Sequence, residues 1–214
     1  MCMIRAHFVL STLFILSSCG SSKEKQPVGV LNEIKELKGG KYSVLPIASS
    51  VEWLGKELTT KTHTGTLGIS SGHVEIDQEK RVKGEVVIDM QTLIVTDLSG
   101  RSKEILEGHL KSDDFFGTNN FPKATLRFQS NGVIKEANQI DFQGDLTIKD
   151  ISNKIDFSAT LLDNSENLKA LAKMTFDRSK YNVRYRSGTF FDDLGDKLIL
   201  DDIDVNVLIV AEVN

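Results

Sequence analysis

The sequence predicts an all-β fold, an antiparallel β-barrel of about eight strands with one short helix. Three observations carry this. Apolar and polar residues alternate with period two in a series of runs between Tyr42 and Ala211, the spacing of strands with one covered face. Turn-forming residues separate the runs, among them Ser71-Gly72, Asn131-Gly132 and Asp163-Asn164-Ser165. The period changes to that of a helix between Ser102 and Lys111. Strands joined by hairpins fold as a sandwich or a closed barrel, and periodicity does not separate the two. Closure is favoured because it removes unpaired edges.

Residues 1–18 read as a lipoprotein signal peptide. Arg5 gives a positive start, and Phe8 to Leu16 is an apolar run too short to span a bilayer. Leu16-Ser17-Ser18-Cys19 then places two small residues between an apolar residue and a cysteine. That spacing looks like a lipobox, whose cysteine thiol takes diacylglycerol and becomes the first residue after cleavage. Cys19 is therefore the expected site of lipid attachment. The other cysteine, Cys2, lies inside the signal, so the mature chain is expected to form no internal disulfide. Residues 19–40 read as a lipidated polar tether rich in Ser and Lys. Within it Leu31, Ile34 and Leu37 are spaced by three, enough for a helical turn or two before Gly39-Gly40.

Residues 41–214 are expected to form one barrel domain. Tyr42–Leu45 is a short strand stopped by Pro46, and Val51–Leu54 follows. Thr64–Ile69 and His73–Asp77 flank Ser71-Gly72 and are expected to pair as a hairpin. Val82–Met90 carries Val86, Ile88 and Met90 on one face, with Glu85 and Asp89 opposite. Ser102–Lys111 is the helix, with Leu106 and Leu110 four apart and Ser102 as its expected N-cap. Pro122 fixes the start of a strand from Lys123 to Ser130. Ile140–Ile148, Ile151–Leu161, Leu168–Phe176 and Ile203–Ala211 complete the set, and a long polar segment from Asp177 to Gly195 precedes the last of them.

The stretch His109-Leu110-Lys111-Ser112-Asp113-Asp114-Phe115-Phe116, followed by Phe121-Pro122-Lys123-Ala124 and Phe128, closely resembles the bacterial YceI-like family. Tyr42-Ser43-Val44, Ser50 to Trp53, His63-Thr64-Gly65, Gly144 to Ile148, and Phe176-Asp177-Arg178 with Tyr181-Asn182-Val183 agree in the same order. The resemblance runs from about Tyr42 to the C-terminus. Asp145 and Asp150 depart from the Asn and Gly that the family often carries there, and the chain looks lipidated where many members are soluble periplasmic proteins.

The resemblance implies a lipocalin-like barrel holding a polyisoprenoid in an apolar tunnel. Burying apolar surface contributes ~25 cal/mol per Å², so a prenyl tail binds without special polar chemistry. The expected ligand-lining residues are Val86, Ile88, Leu126, Phe128, Ile155, Phe157, Ala170 and Ala172. Each would serve equally as ordinary core, because alternation offers an apolar face inside the barrel and another under the helix. Arg178 and Arg127 are the expected head-group residues, since a guanidinium suits phosphate.

Other chemistries are weaker. His109 beside Asp113 and Asp114 has the look of a general base, but no Ser or Cys nucleophile motif accompanies it, and a capped helix end explains it. His63 and His73 could meet across a hairpin as zinc ligands, but a third ligand is missing. The acidic run through Asp192, Asp193, Asp196, Asp201, Asp202 and Asp204 lacks EF-hand spacing and reads as a solvated loop. A formal net charge of −4 gives no basic field for nucleic acid. The expectation is therefore a non-enzymatic binder of an isoprenoid or other long-chain lipid, with no cofactor and no metal. The alternative is an envelope stress or interaction scaffold whose barrel is filled by its own side chains. The expected partners are the lipid ligand and the membrane through Cys19, with a homodimer left open. The expected location is the bacterial cell envelope, anchored at the outer membrane and facing the periplasm.

Overall fold

Alternation becomes strands, and the strands close on themselves. The computed structural model describes residues 33–58 and 61–214. Nine strands run in chain order: β1 Gly40–Val44, β2 Ser50–Lys56, β3 Thr62–Ile76, β4 Val82–Val95, β5 Lys123–Ser130, β6 Gln139–Ile148, β7 Ile151–Asp163, β8 Leu168–Asp177 and β9 Asp202–Val213. Helix α1, Gly100–Lys111, links β4 to β5. Neighbours from β3 to β9 pair antiparallel in sequence order. Both β1 and β2 pair with β3 on one side and β9 on the other. They share one position in the wall, so the sheet is a closed antiparallel barrel of eight positions.

The break between β1 and β2 follows from Pro46, which has no N–H to give to a ladder. A single 3-10 turn at Pro46–Ala48 bulges outward, leaving Ile47 fully exposed. Ser49 repairs the gap: its hydroxyl accepts from the Val210 N–H at 3.0 Å and donates to the Val210 carbonyl at 3.3 Å.

The expected hairpin about Ser71-Gly72 is not formed. β3 is one strand of 15 residues, with irregular register between Thr66 and Gly68 and between Ile69 and Ser71. The Gly and Ser residues that resemble a turn in sequence are bulges that bend a long strand around the barrel. The real hairpin lies between β3 and β4, where Arg81 N–H donates to Asp77 Oδ1 at 2.9 Å. The helix starts earlier than expected, with Ser99 rather than Ser102 at its N-cap. Leu110 is buried and Ile105 points to solvent. Lys149 and Asp150, both with positive φ, make the two-residue turn between β6 and β7.

Helix and strap seal opposite ends. α1 and the Arg178–Asp201 segment belong to the end where β4 and β8 finish. At the other end the segment before β1, expected to be the last of the tether and partly helical, is non-helical and packs on the barrel. Leu37 is 3% exposed. Lys80 Nζ donates to the Leu37 carbonyl at 3.0 Å and pairs with Glu36 at 2.6 Å. Ile34 N–H donates to Asn138 Oδ1 at 2.9 Å, and Asn164 Nδ2 donates to the Glu36 carbonyl at 2.9 Å. Leu31 and the proposed signal and lipid site lie outside the described residues.

Gly65 lets β2 and β4 close in on β3: a Cβ there would fall 2.0 Å from the Ile94 carbonyl and 2.3 Å from the Trp53 ring. Neither atom is a flexible chain end. Gly65→Ala is expected to cost about 1–3 kcal/mol by overpacking, and so to lower Tm by several degrees. Thermal unfolding followed by circular dichroism checks this; an unchanged Tm contradicts it.

Candidate functional site

The inward faces of the strands do not fill the barrel. They enclose a cavity of about 310 Å³, walled at the strapped end by Leu37, Ile76 and Leu168 and at the helix-capped end by Trp53, His109 and Tyr185. A volume of that order falls within the range of small-molecule sites, about 300–1,000 Å³. Between the ends the wall is apolar: Val86 and Ile88 from β4, Leu126 and Phe128 from β5, Phe142 from β6, Phe157 from β7, and Ala170 and Ala172 from β8. The small side chains on β8 leave width, and the phenylalanines of β5, β6 and β7 give it shape. Phe142 and Phe157 stack at 5.2 Å, with Phe128 edge-on to both at 5.6 and 6.2 Å. Gly84 makes room for that cluster, since a Cβ there would lie 2.5 Å from the Phe128 ring.

Seven of the eight residues expected to line a ligand site therefore meet around one cavity. Ile155 is on the same face of β7 and buried in the core at 7% exposure, but is not part of the wall. The expected head-group arginines are elsewhere. Arg127 is on the outer face of β5, paired with Glu85 at 2.6 Å and well exposed. Arg178 is fully buried, yet it faces backbone rather than the cavity. It donates to the carbonyls of Leu200 (3.2 Å), Val183 (3.1 Å) and Ile199 (3.0 Å), pairs with Asp201 at 3.2 Å, and stacks over Phe115 at 5.3 Å. It is a strut that folds the Arg178–Asp201 segment over the barrel end.

Polar residues on the wall gather at the helix-capped end: Lys56, Glu57, His63, His109, Tyr185 and Arg186. Lys56 pairs with Asp204 at 3.0 Å, and His63 Nδ1 with Asp97 at 2.8 Å. His109 packs edge-on against Tyr185 at 4.2 Å and Phe115 at 5.8 Å. Burial holds its imidazole below the ordinary histidine range, against the pull of Asp114 and with some help from Arg186. Asp113 instead accepts from Asn120 Nδ2 at 3.0 Å across the turn. His63 and His73 are ten positions apart on one continuous strand, roughly 30 Å, so they cannot share a metal. Among the described residues no group of His, Cys, Asp and Glu has the placement to hold a metal ion. In the acidic run, Asp201 accepts from Ser187 and Thr189 hydroxyls, both at 2.8 Å.

A closed antiparallel barrel with a single helix and an apolar interior cavity is a lipocalin-like architecture. The family model of the YceI-like domain matches residues 42–211. The chain belongs to the YceI-like family. A UPF0312 protein of Staphylococcus aureus (strain USA300) is 33% identical over 101 residues, 44% of this chain and 55% of the relative. The chain spans about half the length of the curated relatives it matches. Among solved structures, BcnA of Burkholderia cenocepacia superposes with TM-score 0.60 at 22% identity, covering 78% of this chain and 98% of that one. A polyisoprenoid binding domain from Saccharophagus degradans, implicated in plant cell wall breakdown, superposes with TM-score 0.56 at 13% identity, covering 83% and 100%. At these identities the likeness is one of fold.

Removing the Arg178 guanidinium would take the cation from Asp201 and the donors from three carbonyls while leaving the cavity wall intact. Arg178→Met is expected to destabilise the domain by about 3–5 kcal/mol, read by urea denaturation, without weakening binding of an apolar ligand below the melting transition. A loss of ligand affinity with unchanged stability would return Arg178 to the head-group role.

Proposed function

We propose that this chain binds an isoprenoid or a similar long-chain amphiphile in the barrel cavity and performs no chemistry on it. The observation that carries the reading is the cavity of about 310 Å³, apolar from Leu37 to the ring of polar residues at the other end. An apolar tail in such a space gains ~25 cal/mol per Å² removed from water. Family membership supports the same reading, as does the polyisoprenoid binding domain that shares this fold. The rival, a scaffold with a side-chain-filled barrel, fits the open interior less well.

Native mass spectrometry of the purified protein, followed by organic extraction, tests this. A co-purifying prenyl-type amphiphile is the expected result; a clean protein that added prenyl lipids do not stabilise overturns the reading. Ala172→Phe puts a ring into the space beside Ala159 and Val207. It is expected to reduce tail binding at least about tenfold, as loss of about 1.4 kcal/mol implies, without lowering Tm.

The tether belongs to the same proposal. Leu16-Ser17-Ser18-Cys19 supports lipidation at Cys19, anchoring the barrel at the bacterial envelope, at the outer membrane on its periplasmic side. More than one acyl chain on the cysteine gives a stable anchor. Cys19→Ser is expected to move the protein from the membrane pellet to the soluble fraction; unchanged partition removes the lipid from the account.

A further inference from the structure

The strapped end of the cavity is closed by a side chain that no barrel strand supplies. Leu37 precedes β1 and lies outside the 42–211 span that matches the family model. Its side chain is buried and shares the end wall of the cavity with Ile76 and Leu168. The backbone around it is pinned on both sides. Lys80 Nζ donates to the Leu37 carbonyl at 3.0 Å, and Asn164 Nδ2 to the Glu36 carbonyl at 2.9 Å. Tyr42 Oη donates to the Lys38 carbonyl at 2.9 Å, and Lys38 Nζ to the Ser165 carbonyl at 2.6 Å. Further back, Ile34 N–H donates to Asn138 Oδ1 at 2.9 Å. Lys80, Asn138 and Asn164 belong to the β3–β4, β5–β6 and β7–β8 connections. The strap thus crosses the barrel end and is tied to three separate turns there.

We propose that Leu37 is a stop that sets the longest apolar tail the cavity accepts. This rests on the tail-binding reading of the cavity. A tail that ends short of Leu37 gains with every added group it buries. One that reaches Leu37 has to push the side chain aside or double back. The side chain does not yield cheaply, because its own carbonyl and those of both neighbours are held, and moving the strap breaks those hydrogen bonds. The packed wall beside it does not stretch either. Length is therefore selected at this end, whatever group the tail carries at the other. The strand ladder does not depend on the residue, since β1 begins at Gly40. Leu37 can change in size while the strands that shape the cavity stay as they are.

The test uses a ladder of linear prenyl alcohols of rising length, bound to the full chain and ranked by native mass spectrometry. In the unsubstituted protein affinity should rise with each isoprene unit up to one length and fall beyond it. Leu37→Val trims one methylene and Leu37→Ala removes most of the side chain. The first should improve binding of the tail just beyond that length by roughly fourfold, the worth of one buried methylene. The second should improve it further and move the maximum to a longer tail. Shorter tails, which do not reach Leu37, should keep their affinity in both variants. A residue that only packed the core would change the affinity of every tail by the same factor and leave the maximum where it was. That result overturns the stop and leaves the tail site standing, as does affinity that rises without a maximum in the unsubstituted protein. If no member of the ladder binds, the tail-binding reading falls first and the stop with it.

Discussion

Everything in this protein depends on closing the sheet at β1 and β2. A strand with one neighbour exposes a row of unpaired N–H and carbonyl groups. Here the first strand position has two neighbours, β3 and β9, although proline interrupts it. The repair is made by a side chain: the Ser49 hydroxyl serves both the N–H and the carbonyl of Val210. With the ladder complete, backbone makes no demand on the interior. The inside of the barrel can then be apolar without a network of buried polar groups to satisfy.

Closure leaves two open ends, and different chemistry seals each. At one end a short strap is tied down by Lys80, Asn138 and Asn164, and drops Leu37 into the interior. At the other, α1 lays Leu106 and Leu110 over the cavity, and Glu107 accepts from the Val95 N–H at 2.8 Å. The Arg178 strut completes that cover. The strapped end is wholly apolar where it meets the cavity, while the helix-capped end carries the polar wall residues. The cavity therefore has a direction, suited to a molecule with one wet end and one dry end.

The strand pattern was legible because alternation reports one covered face directly. Seven wall residues were legible for the same reason. Alternation also puts Arg127 outside, since it falls between inward Leu126 and Phe128. Where glycine and serine occur inside a long strand the signal reverses: Ser71-Gly72 has the composition of a turn but the conformation of a bulged strand. Arg178 was misleading for another reason. A guanidinium that serves three carbonyls of its own chain has the same sequence appearance as one that serves a ligand. Leu37 was hidden in a polar context that reads as tether, and only its contacts show it as core.

The interior space is itself an argument about function. Cavities left in a core destabilise a protein by ~24 cal/mol per Å³. The space of about 310 Å³ is therefore unfavourable relative to a packed core, in a domain whose net stability is ordinarily only about 5–15 kcal/mol. Larger side chains at Ala170 and Ala172 could fill part of that space without disturbing the ladder. A barrel used only as a scaffold would gain stability from such filling and lose nothing. A barrel that takes up a long apolar molecule gains from keeping these positions small, because burying the tail offsets the cost of the space. Alanines at these wall positions are therefore better explained by an occupant than by packing alone.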